Sequence, residues 1–352
     1  MAQANYCGKK IKMKKVVFTG PGEDLVTVEK PVPELEDGDV LVKVDLCGIC
    51  TSDIMAQRGD ATDYTPPVVL GHEIAGVIAE TRNDSFSVGQ KVSVDPVMSC
   101  GACYYCRRGM NKFCPEICGV GHDMDGGYAE YVRIPKKLAD SGGLLVVPDG
   151  VPPEEVVFLE ALACCLGGVR ETQLGENLVM LGAGPIGLLF LQLAKREGVR
   201  TIITEPLAHR REMAEKLGAD EILDPSAEPV VPQILEMTDG LGADAVIAAT
   251  NDPSVVLQLP QMIRRGGYAN FFGLFPHGTR IELDVEEFHY SGHKVLASWA
   301  LTRQDSAQAQ KEIADRWLVL EPILTGKFSL DQPMDAFNYV VNRTGLKAAF
   351  MP

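Results

Sequence analysis

The sequence predicts an α/β chain of two units, a β-rich N-terminal unit followed by a doubly wound parallel sheet. Three observations predict it. At 352 residues the chain exceeds the length that one hydrophobic core organises. From residue 16 to about residue 150, short alternating apolar segments such as 40–44 and 91–94 are broken by Gly, Pro and Asp, the texture of short strands joined by long loops. From about Glu154 the texture changes: helical stretches alternate with apolar runs at 177–181, 201–204 and 245–249, as βαβ units on a buried parallel sheet require.

Taken in order, residues 1–155 form the first unit, with a cysteine-rich lobe over 95–118. Residues 156–294 form the parallel-sheet unit. Residues 295–352, with a helix near 308–319 and an amphipathic stretch near 334–342, return to the first unit. The strand pattern begins only at Lys14, so residues 1–12 read as an added or frayed arm and Met13 as an alternative start. Hydrophobic residues at 46% are enough to fill two cores, while a net charge of −15 argues against a phosphate-backbone partner. No run of about 18 apolar residues could span a bilayer. Ten cysteines, several in metal-like clusters, point to a reducing, cytoplasmic setting.

The four cysteines of the lobe, Cys100, Cys103, Cys106 and Cys114, are spaced by three, three and eight residues. One short loop can wrap four such thiolates around a tetrahedral structural zinc. Two disulfides would suit a short secreted chain better. An iron–sulfur cluster is the other alternative, since Pro115 follows the last cysteine, but the final spacing differs from ferredoxin runs.

Mid-chain, residues 181–187 read Leu-Gly-Ala-Gly-Pro-Ile-Gly between an apolar strand and a segment of helical composition. In a dinucleotide-binding Rossmann turn, Gly182 permits the tight turn, Gly184 lets the backbone approach a pyrophosphate, and Gly187 allows close helix–strand packing. Pro185 and Ile186 then open the helix whose N-terminus faces the phosphates. Glu205 stands 18 residues after Gly187, at the end of the next strand. A carboxylate there accepts hydrogen bonds from ribose hydroxyls and repels a 2′-phosphate, favouring NAD over NADP. Arg210 and Arg211 follow closely and could pair with a phosphate.

A second metal constellation precedes the lobe. Cys50 and His72 lie 22 residues apart, and Glu160, at the junction of the units, could supply a third ligand. Three protein ligands and one open position make a catalytic zinc site.

These pieces, residues 48–53 (Gly-Ile-Cys-Thr-Ser-Asp), Gly71-His72-Glu73, the four-cysteine lobe, residues 126–131 (Gly-Gly-Tyr-Ala-Glu-Tyr) and the glycine loop, together resemble the zinc-containing medium-chain dehydrogenase/reductase family, from Met13 to the end. The segment 160–165 and the residues Phe288-His289-Tyr290 and Ala297-Ser298-Trp299 are similar to its sorbitol and polyol branch. The resemblance implies a GroES-like catalytic domain joined to a Rossmann domain, two zincs per chain, NAD, and a homodimer or homotetramer. It implies Cys50 and His72 as catalytic-zinc ligands, with Glu160 or Glu73 as the third, Asp53 orienting His72, and Ser52 as first proton carrier. The implied reaction interconverts a secondary alcohol and a ketone on a polyol, sugar or cyclitol, zinc acting as Lewis acid and the nicotinamide taking the hydride.

One departure stands out: many relatives carry a histidine three residues after the serine, where this chain has Met55. Oxidation of an amino alcohol such as threonine is the alternative activity, and a zinc- and dinucleotide-binding sensor without turnover is the alternative class. Cys47, Cys164 and Cys165 read as small buried packing residues. His122, His209 and His277 read as surface or structural histidines, and Arg58, Asp60 and Trp299 as candidates for lining the pocket.

Overall fold

The computed structural model describes residues 11–61, 63–280, 282 and 284–352. Residues 1–10 of the expected arm lie outside the described residues. The first strand, Lys12–Phe18, starts two residues earlier than the hydrophobic pattern suggests. Its reach is set by pairing, since Lys12 and Met13 stand opposite Pro31 and Lys30 in antiparallel register, and Met13 is buried.

The first unit is built around a seven-stranded sheet whose hub is Val40–Gly48. That strand pairs antiparallel with Glu73–Thr81, with Tyr131–Ile134 and with Lys347–Phe350. Val40, Val42 and Val44 point into the core, the alternation expected of a strand with one covered face. The C-terminal strands Leu324–Phe328 and Lys347–Phe350 run parallel to each other and extend this sheet, so the last residues of the chain sit beside residues 47 and 48.

The second unit is a six-stranded sheet in the spatial order Glu221–Leu223, Arg200–Thr204, Asn177–Leu181, Ala243–Ala248, Ile263–Phe271, Lys294–Ala297. Every neighbouring pair is parallel. In sequence order this is 3-2-1-4-5-6, the doubly wound arrangement whose ligand crevice opens where the order reverses. Here that point lies beyond the ends of Asn177–Leu181 and Ala243–Ala248. The expected unit boundary at 294/295 falls inside the edge strand Lys294–Ala297, which stays with the parallel sheet.

Helix Leu159–Thr172 lies between the units and packs on both Pro185–Arg196 and Arg303–Asp315. The latter helix begins five residues before the expected 308, because Thr302 and Asp305 form a reciprocal cap: the Thr302 hydroxyl accepts from the Asp305 amide and Asp305 accepts from the Thr302 amide at 2.9 Å. Among the described residues, no helix is long and apolar enough to cross a membrane.

Candidate active site

Cys50 is the N-cap of the helix Thr51–Arg58, immediately after the hub strand. The Cys50 amide donates to Asp53 Oδ2 at 3.0 Å, and the Tyr128 phenol donates to the same oxygen at 2.7 Å. Asp53 is thereby fixed with its other oxygen, Oδ1, 3.7 Å from His72 Nδ1 and without a hydrogen-bond partner among the described residues. His72 and Glu73 enter from the strand Glu73–Thr81, which pairs with the hub so that Glu73 stands opposite Gly48. Candidate ligand atoms of Cys50, His72 and Glu73 lie within 4.8 Å of one another.

The Glu73 carboxylate has a counter-charge that spacing does not reveal. Lys347, on the C-terminal strand, donates through Nζ to Glu73 Oε1 at 2.5 Å, with both side chains buried. Burial alone would depress the Lys347 ammonium, but the Glu73 carboxylate and the Cys50 sulfur hold it above the usual lysine value. Gly48 makes room for the pair: a Cβ there would fall 1.9 Å from Glu73 Oε2.

Glu160, on Leu159–Thr172, stays outside the 4.8 Å group. It is buried, and burial raises its carboxyl pKa while His72 opposes the rise. Its Oε1 accepts from the Cys164 thiol at 3.3 Å, so Cys164 carries a polar contact beyond the packing role expected of it. Cys47 and Cys165 are fully buried.

His122 departs from the expectation of a surface or structural histidine. Its ring stacks on Tyr64 at 4.4 Å between centroids and lies 5.2 Å from the His72 ring. Burial and then the Asp53 carboxylate push the Tyr64 phenol far above its ordinary pKa, with the Ser52 hydroxyl opposing. The buried Ser52 Oγ and Tyr64 Oη have no hydrogen-bond partner among the described residues. Neither Tyr64 nor Lys347 follows from the motifs, and the only sequence signal at Tyr64 is an aromatic in the loop before Gly71-His72. Met55 is buried in the core. His209, His277, Arg58 and Asp60 are exposed, and Trp299 packs edge-on against Phe113 of the cysteine lobe.

In that lobe the sulfurs of Cys100, Cys103, Cys106 and Cys114 all lie within 4.8 Å of one another, with Cys100 and Cys106 3.9 Å apart. Four sulfurs about 2.3 Å from a tetrahedral centre would be separated by roughly 3.8 Å, so the spacing fits zinc. Main-chain amides of Ala102 and Cys103 point at Cys100 Sγ, that of Cys106 at Cys103 Sγ, and that of Cys100 at Cys114 Sγ, at 3.3–3.5 Å. Such donors favour thiolates, the form that binds metal.

The glycine loop sits at the reversal point of the parallel sheet. Gly182 has φ of +106°, and a Cβ at Gly187 would meet the Gly182 carbonyl oxygen at 2.1 Å, so that helix and strand approach only as glycines allow. Gly184 is the N-cap of the helix Pro185–Arg196, with Pro185 and Ile186 in its first turn. The Arg210 guanidinium borders the space over Gly184, at 3.5 Å from a Cβ placed there. Arg210 donates to the Gly345 carbonyl at 3.1 Å, and its Nε has no hydrogen-bond partner among the described residues. A half-buried cation of this kind fits a phosphate-bearing cofactor. Glu205 is buried; its Oε2 accepts from the Ala183 amide at 2.9 Å and its Oε1 from the Leu207 amide at 3.0 Å. The carboxylate thus ties the glycine loop to the next strand, a structural task in addition to the ribose contact expected of it.

Comparison with known proteins agrees with this architecture. Residues 36–141 match the alcohol dehydrogenase GroES-like domain and residues 185–315 the zinc-binding dehydrogenase family. The chain is 33% identical to D-arabitol-phosphate dehydrogenase of Enterococcus avium over 95% of this chain and 96% of that one. It is 32% identical to L-threonine 3-dehydrogenase of Pyrococcus horikoshii over 97% and 99%. A solved zinc-binding dehydrogenase from Sinorhizobium meliloti 1021, bound to NADP, is similar with a TM-score of 0.91 at 31% identity, over 97% of this chain and 100% of that one.

Proposed function

Because the chain belongs to the zinc-dependent medium-chain dehydrogenase/reductase family, we propose that it interconverts a secondary alcohol and a ketone on a polyol, sugar or cyclitol, with NAD favoured over NADP. The observation that carries this reading is the grouping of Cys50, His72 and Glu73 within 4.8 Å beside the unpartnered Ser52 hydroxyl. The residues 345–347 link that group to the cofactor loop, since Gly345 receives Arg210 and Lys347 holds Glu73.

Zinc at Cys50 and His72, with Glu73 or Glu160 as third ligand, supplies Lewis acidity that eases loss of the alcohol proton, and the bound nicotinamide accepts the hydride. The remaining tasks fall to the chain. Asp53 Oδ1 fixes the His72 ring, leaving its other nitrogen for the metal. Ser52 Oγ, two residues beyond Cys50, takes the proton from the substrate hydroxyl. Met55 cannot relay it further, so the proton leaves Ser52 by another path. Cys100, Cys103, Cys106 and Cys114 hold a second, structural zinc. Glu205 favours NAD through its negative charge at the strand end. The family also implies a homodimer or homotetramer in the cytoplasm.

The 32% identity with a threonine dehydrogenase favours an amino alcohol as the second reading. The test is NAD reduction over sorbitol, xylitol, inositols, sugar phosphates, threonine and simple secondary alcohols, with zinc content measured on the same protein. Turnover of a polyol or cyclitol is the expected result. Turnover of threonine alone would select the second reading, and silence throughout with two zincs bound would reject catalysis of this type. In Cys50→Ser, activity should fall by at least about 1000-fold while one zinc per chain is retained; unaltered turnover would remove Cys50 from the metal.

A further inference from the structure

Two hydroxyls in the cleft lack hydrogen-bond partners among the described residues, Ser52 Oγ and Tyr64 Oη. A buried hydroxyl without a partner costs about 1–3 kcal/mol, so two of them side by side are accounted for most simply by a ligand that fills both. Ser52 is placed by its neighbour Cys50 to meet the oxygen that reacts. Tyr64 is held rigidly next to it: its ring stacks on His122 at 4.4 Å and meets Phe18 edge-on at 6.4 Å. His122 in turn lies against His72, which anchors the tyrosine to the metal ligands themselves. The phenol therefore stands one hydrogen-bonding group further from the reacting position than Ser52 does. Hydroxyls on adjacent carbons are spaced at roughly hydrogen-bond length, and a vicinal diol can engage both groups at once.

We propose that Tyr64 is a specificity-determining residue whose phenol hydrogen-bonds the hydroxyl on the carbon next to the one being oxidised, so that the site selects vicinal diols over isolated secondary alcohols. The inference rests on the polyol reading and deepens it. A site built to hydrogen-bond a substrate hydroxyl discriminates strongly against an analogue lacking it, because the site's own polar group is then left unpaired.

The experiment compares trans-1,2-cyclohexanediol with cyclohexanol, alongside the best polyol of the panel, in the wild type and in Tyr64→Phe. The substitution keeps the ring that stacks on His122 and removes only the oxygen. The expected result is that the wild type prefers the diol to cyclohexanol by at least about tenfold in kcat/KM. In Tyr64→Phe, KM for the diol and the polyol should rise about 10- to 100-fold with kcat little altered, while cyclohexanol kinetics stay within about twofold. Equal losses on diol and mono-alcohol, or no loss on either, would overturn the role of Tyr64 while leaving the dehydrogenase reading intact. A wild type that does not prefer the diol overturns it without recourse to the variant. A wild type that oxidises neither these alcohols nor any polyol overturns the polyol reading and this inference together.

Discussion

The Glu73 carboxylate is both a neighbour of Cys50 and His72 and the partner of a buried lysine, and these two attachments can be separated by experiment. Lys347→Met removes the ammonium and leaves a buried carboxylate, a change that costs about 3–5 kcal/mol when no other cation compensates. If Glu73 is the third ligand, the metal supplies that compensation. Denaturant unfolding should then show a smaller loss for Lys347→Met in zinc-loaded wild-type background than in the Cys50→Ser background, where the catalytic metal is gone. Equal losses in the two backgrounds would take Glu73 off the metal and leave Glu160 as the third ligand. At this scale the sequence was informative only where chemistry repeats at short spacing. The four-cysteine lobe could be read from spacing alone, and Cys50 with His72 nearly so. Lys347 could not, because it reaches Glu73 across 274 residues by strand pairing. His122 was misjudged for the same reason: its partners Tyr64 and His72 are brought to it by the tertiary fold, and no local pattern marks them.

The glycine loop is an element whose pattern and geometry coincide, but Glu205 acquires a second meaning within it. Its carboxylate accepts the amides of Ala183 and Leu207, bracing the loop against the end of strand Arg200–Thr204 as well as standing where a ribose is expected. Glu205→Ala should therefore weaken NAD binding by about tenfold or more and also narrow the preference over NADP, measured by titration with both reduced cofactors. Unchanged affinities and an unchanged ratio would exclude Glu205 from the ribose site. Strands 177–181, 201–204 and 245–249 were recognisable because a parallel sheet buried on both faces leaves continuous apolar runs. The edge strand Lys294–Ala297 was not, because two of its residues, Lys294 and Val295, are exposed and its place in the sheet is fixed by pairing with Tyr268 and Ala269. The early start of Arg303–Asp315 was in principle available from the Thr302–Asp305 cap, a signal that hydrophobic periodicity overlooks.

For the whole molecule, the cysteine lobe is a joint between the units as well as a metal loop. Lys112, buried within the lobe, reaches Glu171 at 3.0 Å, and Glu171 also accepts from Ser298 at 2.6 Å. Ser298 is tied to Asn270 of the parallel sheet, and Asn270 to Thr172 of the helix between the units. The lobe's fold thus bears on a buried polar network at the edge of the cofactor-binding unit, and network members lose more together than singly. Four thiolates held close together have no reason to remain so without a cation, so metal binding there is coupled to folding. Cys103→Ala should consequently lower the unfolding temperature by several degrees or cause aggregation, and any protein that stays folded should keep its catalytic metal and a nearly normal KM for alcohol. Lys112→Met should produce a smaller fall in the same measurement, because it breaks the joint but leaves the lobe's metal in place. A Cys103→Ala protein with wild-type zinc content and unfolding temperature would show that the lobe holds its shape without the metal, and the four cysteines would then have to be explained by packing alone.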